Sequence, residues 1–322
     1  AFAAAALMTA CSKDETVSKA VEKQQAIGFG KAFIENSTRA IDEASITTGS
    51  IADFLVYGTV SDGTNVTNIF NGVKVQKAAI EGGIGTTGTW YYDSQYVQYW
   101  YADMAYKFAA VKNGTVAVDD NDMPKTISYT ADQSDLLYAE AAVEKAVANQ
   151  APVGFTFNHL LSKVKFTAVN GYAPAEDVEI AVSNVKITNP DASGVYTIAE
   201  KKWEATEGTV ALEFGNVVAD DKVADASRFA PRAELESNYE RLIIPNNKEY
   251  TITFSVVAYK GKSQVVLWKK DYTSTVAIPF AAGYAYDLNA TISGELNPIM
   301  FKVDAVEEWD PYEYDHPQTP VQ

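Results

Sequence analysis

Apolar and polar residues alternate strictly in several stretches of the second half of the chain. In 250–258, Tyr250, Ile252, Phe254, Val256 and Ala258 alternate with Thr251, Thr253, Ser255 and Val257. In 284–292, Tyr284, Tyr286, Leu288, Ala290 and Ile292 alternate with Ala285, Asp287, Asn289 and Thr291. In 158–168, Leu160, Ser162, Val164 and Phe166 share one face, and Leu161, Lys163, Lys165 and Thr167 the other. A period of two is that of a strand with one buried and one wet face. Shorter runs at 178–188, 195–203, 209–214, 241–245, 264–268 and 300–306 supply enough further strands for a two-sheet sandwich. The first half predicts strands at 51–60, 66–77, 88–92 and 104–112, interrupted by the loop Gly82-Gly83-Ile84-Gly85. Before them, 26–34 is apolar with Gly28 and Gly30 on alternate positions, a strand that packs closely on another backbone. It ends in the polar break Asn36-Ser37-Thr38-Arg39. One stretch departs from this pattern. In 132–149, Leu136, Leu137, Ala139, Glu140, Ala141, Ala142, Glu144 and Lys145 are helix formers behind Asp135, so a short helix is predicted there. Ala151-Pro152 closes it, and the domain boundary is placed at this point. The expected architecture is all-β, with domains at 26–152 and 153–322.

Composition agrees with this reading. At 322 residues the chain is long enough for two cores, and its 19 tyrosines and 14 phenylalanines suit a pleated, half-buried surface. A net charge of −16 repels phosphate and excludes nucleic acid as a partner. Cys11 is the only cysteine and His159 and His316 the only histidines, which excludes an intrachain disulfide and a cysteine-based zinc site and leaves little for a Ser-His-Asp apparatus. We expect no enzyme activity and no metal or cofactor. His159 reads as a packing residue, and the acidic runs Asp119-Asp120-Asn121-Asp122 and Glu307-Glu308-Trp309-Asp310 as loops lacking calcium-loop spacing.

The first eleven residues, AFAAAALMTAC, form an apolar run with small residues before the cysteine. With no initiator Met and no basic stretch ahead of it, the run reads as a lipoprotein signal clipped at its start. Met8-Thr9-Ala10-Cys11 resembles a bacterial lipobox, so Cys11 is expected to carry lipid and outer-membrane lipid to be a partner. Ser12-Lys13-Asp14-Glu15 resembles an acidic signal for export to the cell surface, and 12–25 reads as a solvated tether.

Several segments in order then resemble the fimbrillin family of pilus subunits. They are Ile27-Gly28-Phe29, Thr38-Arg39-Ala40, the run from Gln133 to Ala139, the run from Phe155 to Phe166, Leu242-Ile243-Ile244-Pro245, the aromatic strand after Ala282-Gly283, and the closing strand ending at Trp309. The resemblance implies two tandem transthyretin-like β-sandwich domains in a surface lipoprotein. It also implies that an Arg-specific surface protease cuts between Arg39 and Ala40, removing the first strand. The emptied groove is then filled by a strand from another pilus subunit. The tail after Trp309, where Tyr312 and Tyr314 alternate before Pro317 and Pro320, is a candidate donor.

The aromatic cluster of Trp90, Tyr92, Tyr99 and Trp100 reads in two ways: as a platform on which sugar rings stack, or as sandwich core. Two functions therefore stand side by side, a pilus subunit and a surface lipoprotein that binds host or other glycans without polymerising.

Overall fold

A computed structural model describes residues 25–34, 51–85, 90–147, 150–206, 208–219, 225–306 and 319–321. The first half forms β1 (Phe29–Ile34), β2 (Asp53–Ser61), β3 (Val66–Gln76), β4 (Ala105–Lys112), β5 (Thr115–Val118), β6 (Pro124–Thr130), β7 (Leu137–Val143) and β8 (Val153–His159). The second half forms β9 (Ser162–Asn170), β10 (Val178–Ile187), β11 (Ser193–Thr197), β12 (Lys202–Ala205), β13 (Leu212–Gly215), β14 (Val217–Val218), β15 (Arg228–Phe229) and β16 (Glu234–Ser237). It continues with β17 (Arg241–Ile243), β18 (Asn247–Lys260), β19 (Val266–Pro279), β20 (Ala285–Ile292), β21 (Ile299–Val306) and β22 (Thr319–Val321). Among the described residues, helix is confined to the 3-10 turns at Ser94–Tyr96 and Pro174–Glu176, so the all-β expectation holds.

The second half is a sandwich. One sheet runs β13-β10-β18-β19 with β15 beside β10; the other runs β14-β16-β9-β20-β21-β22 with β17 beside β9. Alternation dictates what lies between them. Tyr250, Ile252, Phe254, Val256 and Ala258 from β18 meet Val164 and Phe166 from β9 and Tyr286, Leu288, Ala290 and Ile292 from β20 in one buried core. β20 pairs in parallel with β9, which sets Asp287 beside Lys165 on the opposite face of the sheet.

In the first half, a six-stranded sheet of order β1-β8-β7-β4-β2-β3 is covered on both faces. Phe54 and Val56 of β2, with Tyr106, Phe108 and Ala110 of β4, point to one side, where Trp90, Tyr92 and Trp100 cover them. Gly58 of β2 has no alternative here, since a Cβ would lie 2.9 Å from the Phe108 ring. Tyr57, Ala109 and Val111 point to the other side, into a separate core with Ile127, Tyr129 and Tyr196. That core is closed by a four-stranded sheet of order β12-β11-β6-β5, whose strands come from both halves of the chain. Leu160, Leu161 and Ile244 complete it. Gln133 adds a polar clamp between the halves, its amide donating to Leu242 O at 2.9 Å and accepting from Leu242 N at 2.8 Å. The halves are joined by a shared sheet and a shared core.

One expectation is corrected. The helix predicted within 132–149 is strand β7, because Leu137, Ala139 and Ala141 alternate toward the core between β4 and β8, and tertiary pairing overrides helix propensity. β8 belongs to the first sheet and β9 to the second, so the chain passes from one to the other at Leu160 and Leu161.

Candidate functional site

The strand at the edge of the first sheet concentrates unusual features. β1 pairs in parallel with β8: Phe29↔Val153, Ala32↔Phe155, Phe33↔Thr156 and Ile34↔Phe157, with a register break between Phe29 and Ala32. Parallel ladders hold slightly less per residue than antiparallel ones, and a break in register interrupts this one. β7 meets β8 at Leu137↔His159 and Tyr138↔Asn158, so the stretch 153–157 takes its ladder from β1. On its other side, the chain around β1 is held by single bridges, Ala26↔Tyr99 and Phe29↔Trp90. Ile27 N donates to Gln98 O at 2.8 Å, and Trp100 N donates to Gln25 O at 3.0 Å. The chain from 25 to 34 thus lies in a slot between β8 and the 90–100 segment.

Sequence dictates how it fills that slot. Ile27, Phe29 and Ala32 are buried on the core side. Phe29 is enclosed by Phe70, Tyr92, Phe108 and Phe155, with ring centroids 5.5, 5.6, 6.3 and 6.0 Å away. Burying such a side chain contributes about 2–3 kcal/mol relative to exposing it. Gly28 and Gly30 fall on the opposite face against Pro152, where a Cβ on Gly30 would stand 3.2 Å from the proline Cβ. The Tyr92 hydroxyl donates to Ile27 O at 2.7 Å, and burial pushes its pKa up, so it stays a neutral donor.

The aromatic candidates divide accordingly. Trp90, Tyr92 and Trp100 are at most 1% exposed and form the wall of the slot, so they are core and offer no ring for stacking on sugar. Trp90 packs on Phe54 at 4.8 Å and Trp100 on Tyr106 at 4.6 Å. Tyr99 remains partly exposed, with Tyr96 and Tyr101 near it in sequence. Cys11, Arg39 and Ala40 lie outside the described residues, as do Tyr312 and Tyr314.

The other three arginines are built into the second half. The Arg228 guanidinium stacks 3.4 Å over Tyr259 and donates to Ser263 O at 2.7 Å and Gln264 Oε1 at 2.8 Å. Arg241 lies in β17 with its guanidinium 4.7 Å over Tyr239, and Arg232 sits in a left-handed turn (φ 69°) whose N donates to Asn170 O. His159 is buried and pairs with Asp135 at 2.9 Å, as a packing histidine does. Asp119 folds its own loop, accepting from Asn121 N and Met123 N at 2.8 and 3.0 Å. Among the described residues no cluster of His, Cys, Asp and Glu could hold a metal ion, and no helix is long and apolar enough to cross a membrane.

Sequence reasoning missed Pro152, Val153, Phe155 and Phe157 as parts of the slot. Val153, Phe155 and Phe157 alternate in sequence, but nothing local indicates that they pair with β1.

A family profile described as fimbrillin-like matches residues 38–309. The fold is similar to that of a fimbrial protein from Bacteroides vulgatus ATCC 8482, at 16% identity and a TM-score of 0.60 over 88% of this chain and 99% of that one. It is also similar to a candidate cell adhesion protein from Bacteroides ovatus ATCC 8483, at 17% identity and a TM-score of 0.52 over 91% of this chain and 99% of that one. No curated protein matches by sequence.

Proposed function

Because the chain belongs to the fimbrillin-like family, a family of structural proteins and not enzymes, we propose that it is a cell-surface fimbrial subunit whose first strand is a removable plug. In this reading, lipid on Cys11 holds the exported protein in the outer membrane. An Arg-specific protease cuts after Arg39, β1 leaves its slot, and an extended segment of another subunit takes its place. Release from the lipid and competence to assemble then follow from one cut, since Cys11 and β1 lie on the same side of Arg39.

The observation that carries this reading is the contrast within β1. Its side chains fill the aromatic core through Ile27 and Phe29, yet its backbone is held by a broken parallel ladder and isolated bridges. Loss of such a strand leaves unpaired N–H and C=O groups along 153–157 beside an apolar groove, and that edge templates pairing with another chain. The test is to treat the purified full chain with an Arg-specific protease and follow mass, size and filament formation with and without partner subunits. A single cut after Arg39 followed by assembly is expected; cutting confined to Arg228, Arg232 or Arg241, or a cut chain that never assembles, would refute it.

A second reading, a glycan-binding surface protein that does not polymerise, is favoured only by the exposed rings of Tyr96, Tyr99 and Tyr101. Glycan binding abolished by Tyr99→Ala in a chain that forms no filaments would establish it.

A further inference from the structure

The acidic character of the chain is interrupted at one corner of the second sandwich. The whole sequence carries 26 basic against 42 acidic residues, yet 250–270 holds Lys260, Lys262, Lys269 and Lys270 and no Asp or Glu. Between those lysines lie Val265, Val266 and Leu267, which are 60, 40 and 46% exposed. We infer that this turn end of the β18–β19 hairpin is a membrane contact. It docks on a bilayer surface of anionic lipid, with the three aliphatic side chains in the boundary between headgroups and acyl chains and the lysines on the lipid phosphates. The inference requires neither strand exchange nor lipid on Cys11.

The exposure is built into the hairpin. β19 is the edge strand of its sheet, and strict alternation buries Tyr272, Ser274, Val276 and Ile278 along it. A bulge breaks that alternation near the turn. Ala258 pairs with Trp268 but Tyr259 with Val266, so Leu267 is an extra residue and stays with Val266 on the wet side. The turn itself is well tied. Lys260 N donates to Val265 O at 2.9 Å and Gly261 N to Asp177 O at 2.7 Å. Arg228, stacked on Tyr259, donates to Ser263 O and to Gln264 Oε1. Gly261 is left-handed (φ 48°), and a Cβ there would stand 2.6 Å from Asp177 Oδ2. Beyond the bulge, the Trp268 indole N–H donates to the Tyr172 hydroxyl at 3.0 Å and fixes the strand to the core. A pre-formed end of this kind loses little conformational freedom on docking.

The chemistry selects a bilayer. The exposed side chains are aliphatic, carry no polar atoms, sit at a convex turn and are bracketed by lysines on both sides. Such a surface enters a lipid boundary with its apolar groups while the long amines reach phosphate. Acidic neighbours engage two of the lysines. Lys260 Nζ lies 3.8 Å from Asp177 Oδ2 and donates to Glu176 O, Glu179 is the register partner of Tyr259, and Lys270 Nζ donates to Glu295 O. Asp271 accepts from the Ser255 hydroxyl. Lys262 and Lys269 are exposed and make no ion pair among the described residues, so they are the pair left for phosphate. The remaining acidic surface opposes approach to an anionic bilayer, but charges at physiological salt act over only about 8 Å, and the tip meets the surface first.

The experiment uses the full chain with Cys11→Ser, so that no acyl chain contributes. Co-sedimentation is measured with vesicles of phosphatidylcholine containing about a third phosphatidylglycerol, and with phosphatidylcholine alone, at about 0.15 M salt. A polarity-sensitive dye on Val265→Cys, the single cysteine in that background, reports entry into lipid. Binding to the anionic vesicles with a blue shift of the dye is expected, and little binding to the neutral ones. Lys262→Gln with Lys269→Gln should weaken binding about thirtyfold, and Val266→Ser with Leu267→Ser about tenfold. All four positions are exposed, so the fold is kept, and far-UV circular dichroism checks it. Val147→Ser, at a comparably exposed aliphatic residue of the first half, should bind as the parent does. Failure to bind anionic vesicles, equal binding to neutral ones, an unshifted dye, or either double variant binding as the parent would overturn the inference. Self-association or capture of poly-glutamate through the same residues, with vesicles left unbound, would assign the tip to a second copy or an acidic polypeptide and overturn it as well.

Discussion

The outer face of β20 carries a carboxylate that should cost the folded protein stability at neutral pH. Asp287 is 8% exposed. One oxygen accepts from the Thr167 hydroxyl at 2.9 Å and lies 3.6 Å from Lys165 Nζ, while the buried Oδ1 has no hydrogen-bond partner among the described residues. Burial pushes its pKa up from 3.8 to about 6, with Glu236 and Glu234 adding to the rise and Thr167 and Lys165 opposing it. The folded value exceeds the unfolded one, so the folded state binds more protons between them. The contribution is therefore fully present below pH 3.8 and lost as pH rises through about 6. The whole shift corresponds to about 3 kcal/mol, of which about 1–2 kcal/mol should be regained on going from pH 7.5 to pH 5. Asp287→Asn removes the charge and keeps an acceptor for Thr167, and Lys165 retains Glu236 at 2.7 Å. The variant should be about 2 kcal/mol more stable than the parent at pH 7.5 and about equal to it near pH 4. Urea unfolding of both proteins across this range measures the difference directly. Acidification also relieves the general repulsion in an acidic chain, so the informative quantity is the gap between the two curves. A gap that does not change with pH, or a variant less stable at pH 7.5 by as much as at pH 4, would refute the reasoning.

Further predictions concern the first strand and its surroundings. Phe29→Ala should lower stability by about 3–5 kcal/mol if β1 unfolds together with its core. If the strand detaches first, as proposed, hydrogen exchange should quicken at residues 25–34 and 153–157 while the second sandwich keeps its protection. Native-state digestion with an Arg-specific protease should leave the chain uncut after Arg228, Arg232 and Arg241, read by intact mass, because these residues are held in strands or a tight turn. Cys11→Ser should move the protein out of the membrane fraction and abolish acyl labelling; unchanged partitioning would remove the anchor from the account.

The second sandwich was legible because its strands alternate strictly and the alternation matches what is buried, as Tyr250 to Ala258 and Tyr286 to Ile292 demonstrate. The first half was harder to read, for three physical reasons. β7 carries Ala139, Ala141 and Ala142 because it passes between tightly packed neighbours, and alanine scores as a helix former. β6 is short and pairs with β11, more than sixty residues later, a long-range choice that no local pattern contains. The 90–100 segment packs the core through bridges and irregular chain and has no continuous ladder, so its tryptophans and tyrosines resemble an exposed platform in sequence while three of the four candidates are buried. The slot itself was half visible. Gly28, Phe29 and Gly30 announced a closely packed strand, but nothing in the order of residues revealed that the strand would lie at an edge, parallel to β8.

The central claim is that β1 must leave for another segment to enter, and a reversible lock tests it most directly. Phe33 and Thr156 are register partners across β1 and β8, and Cys11 is the only native cysteine, so Phe33→Cys with Thr156→Cys in a Cys11→Ser background allows one defined cross-link. After cutting at Arg39, uptake of a labelled 26–34 peptide is measured before and after adding a reductant. The account predicts a retained fragment and no uptake while the disulfide is intact, with release and binding once it is reduced. Equal uptake in both states would contradict it.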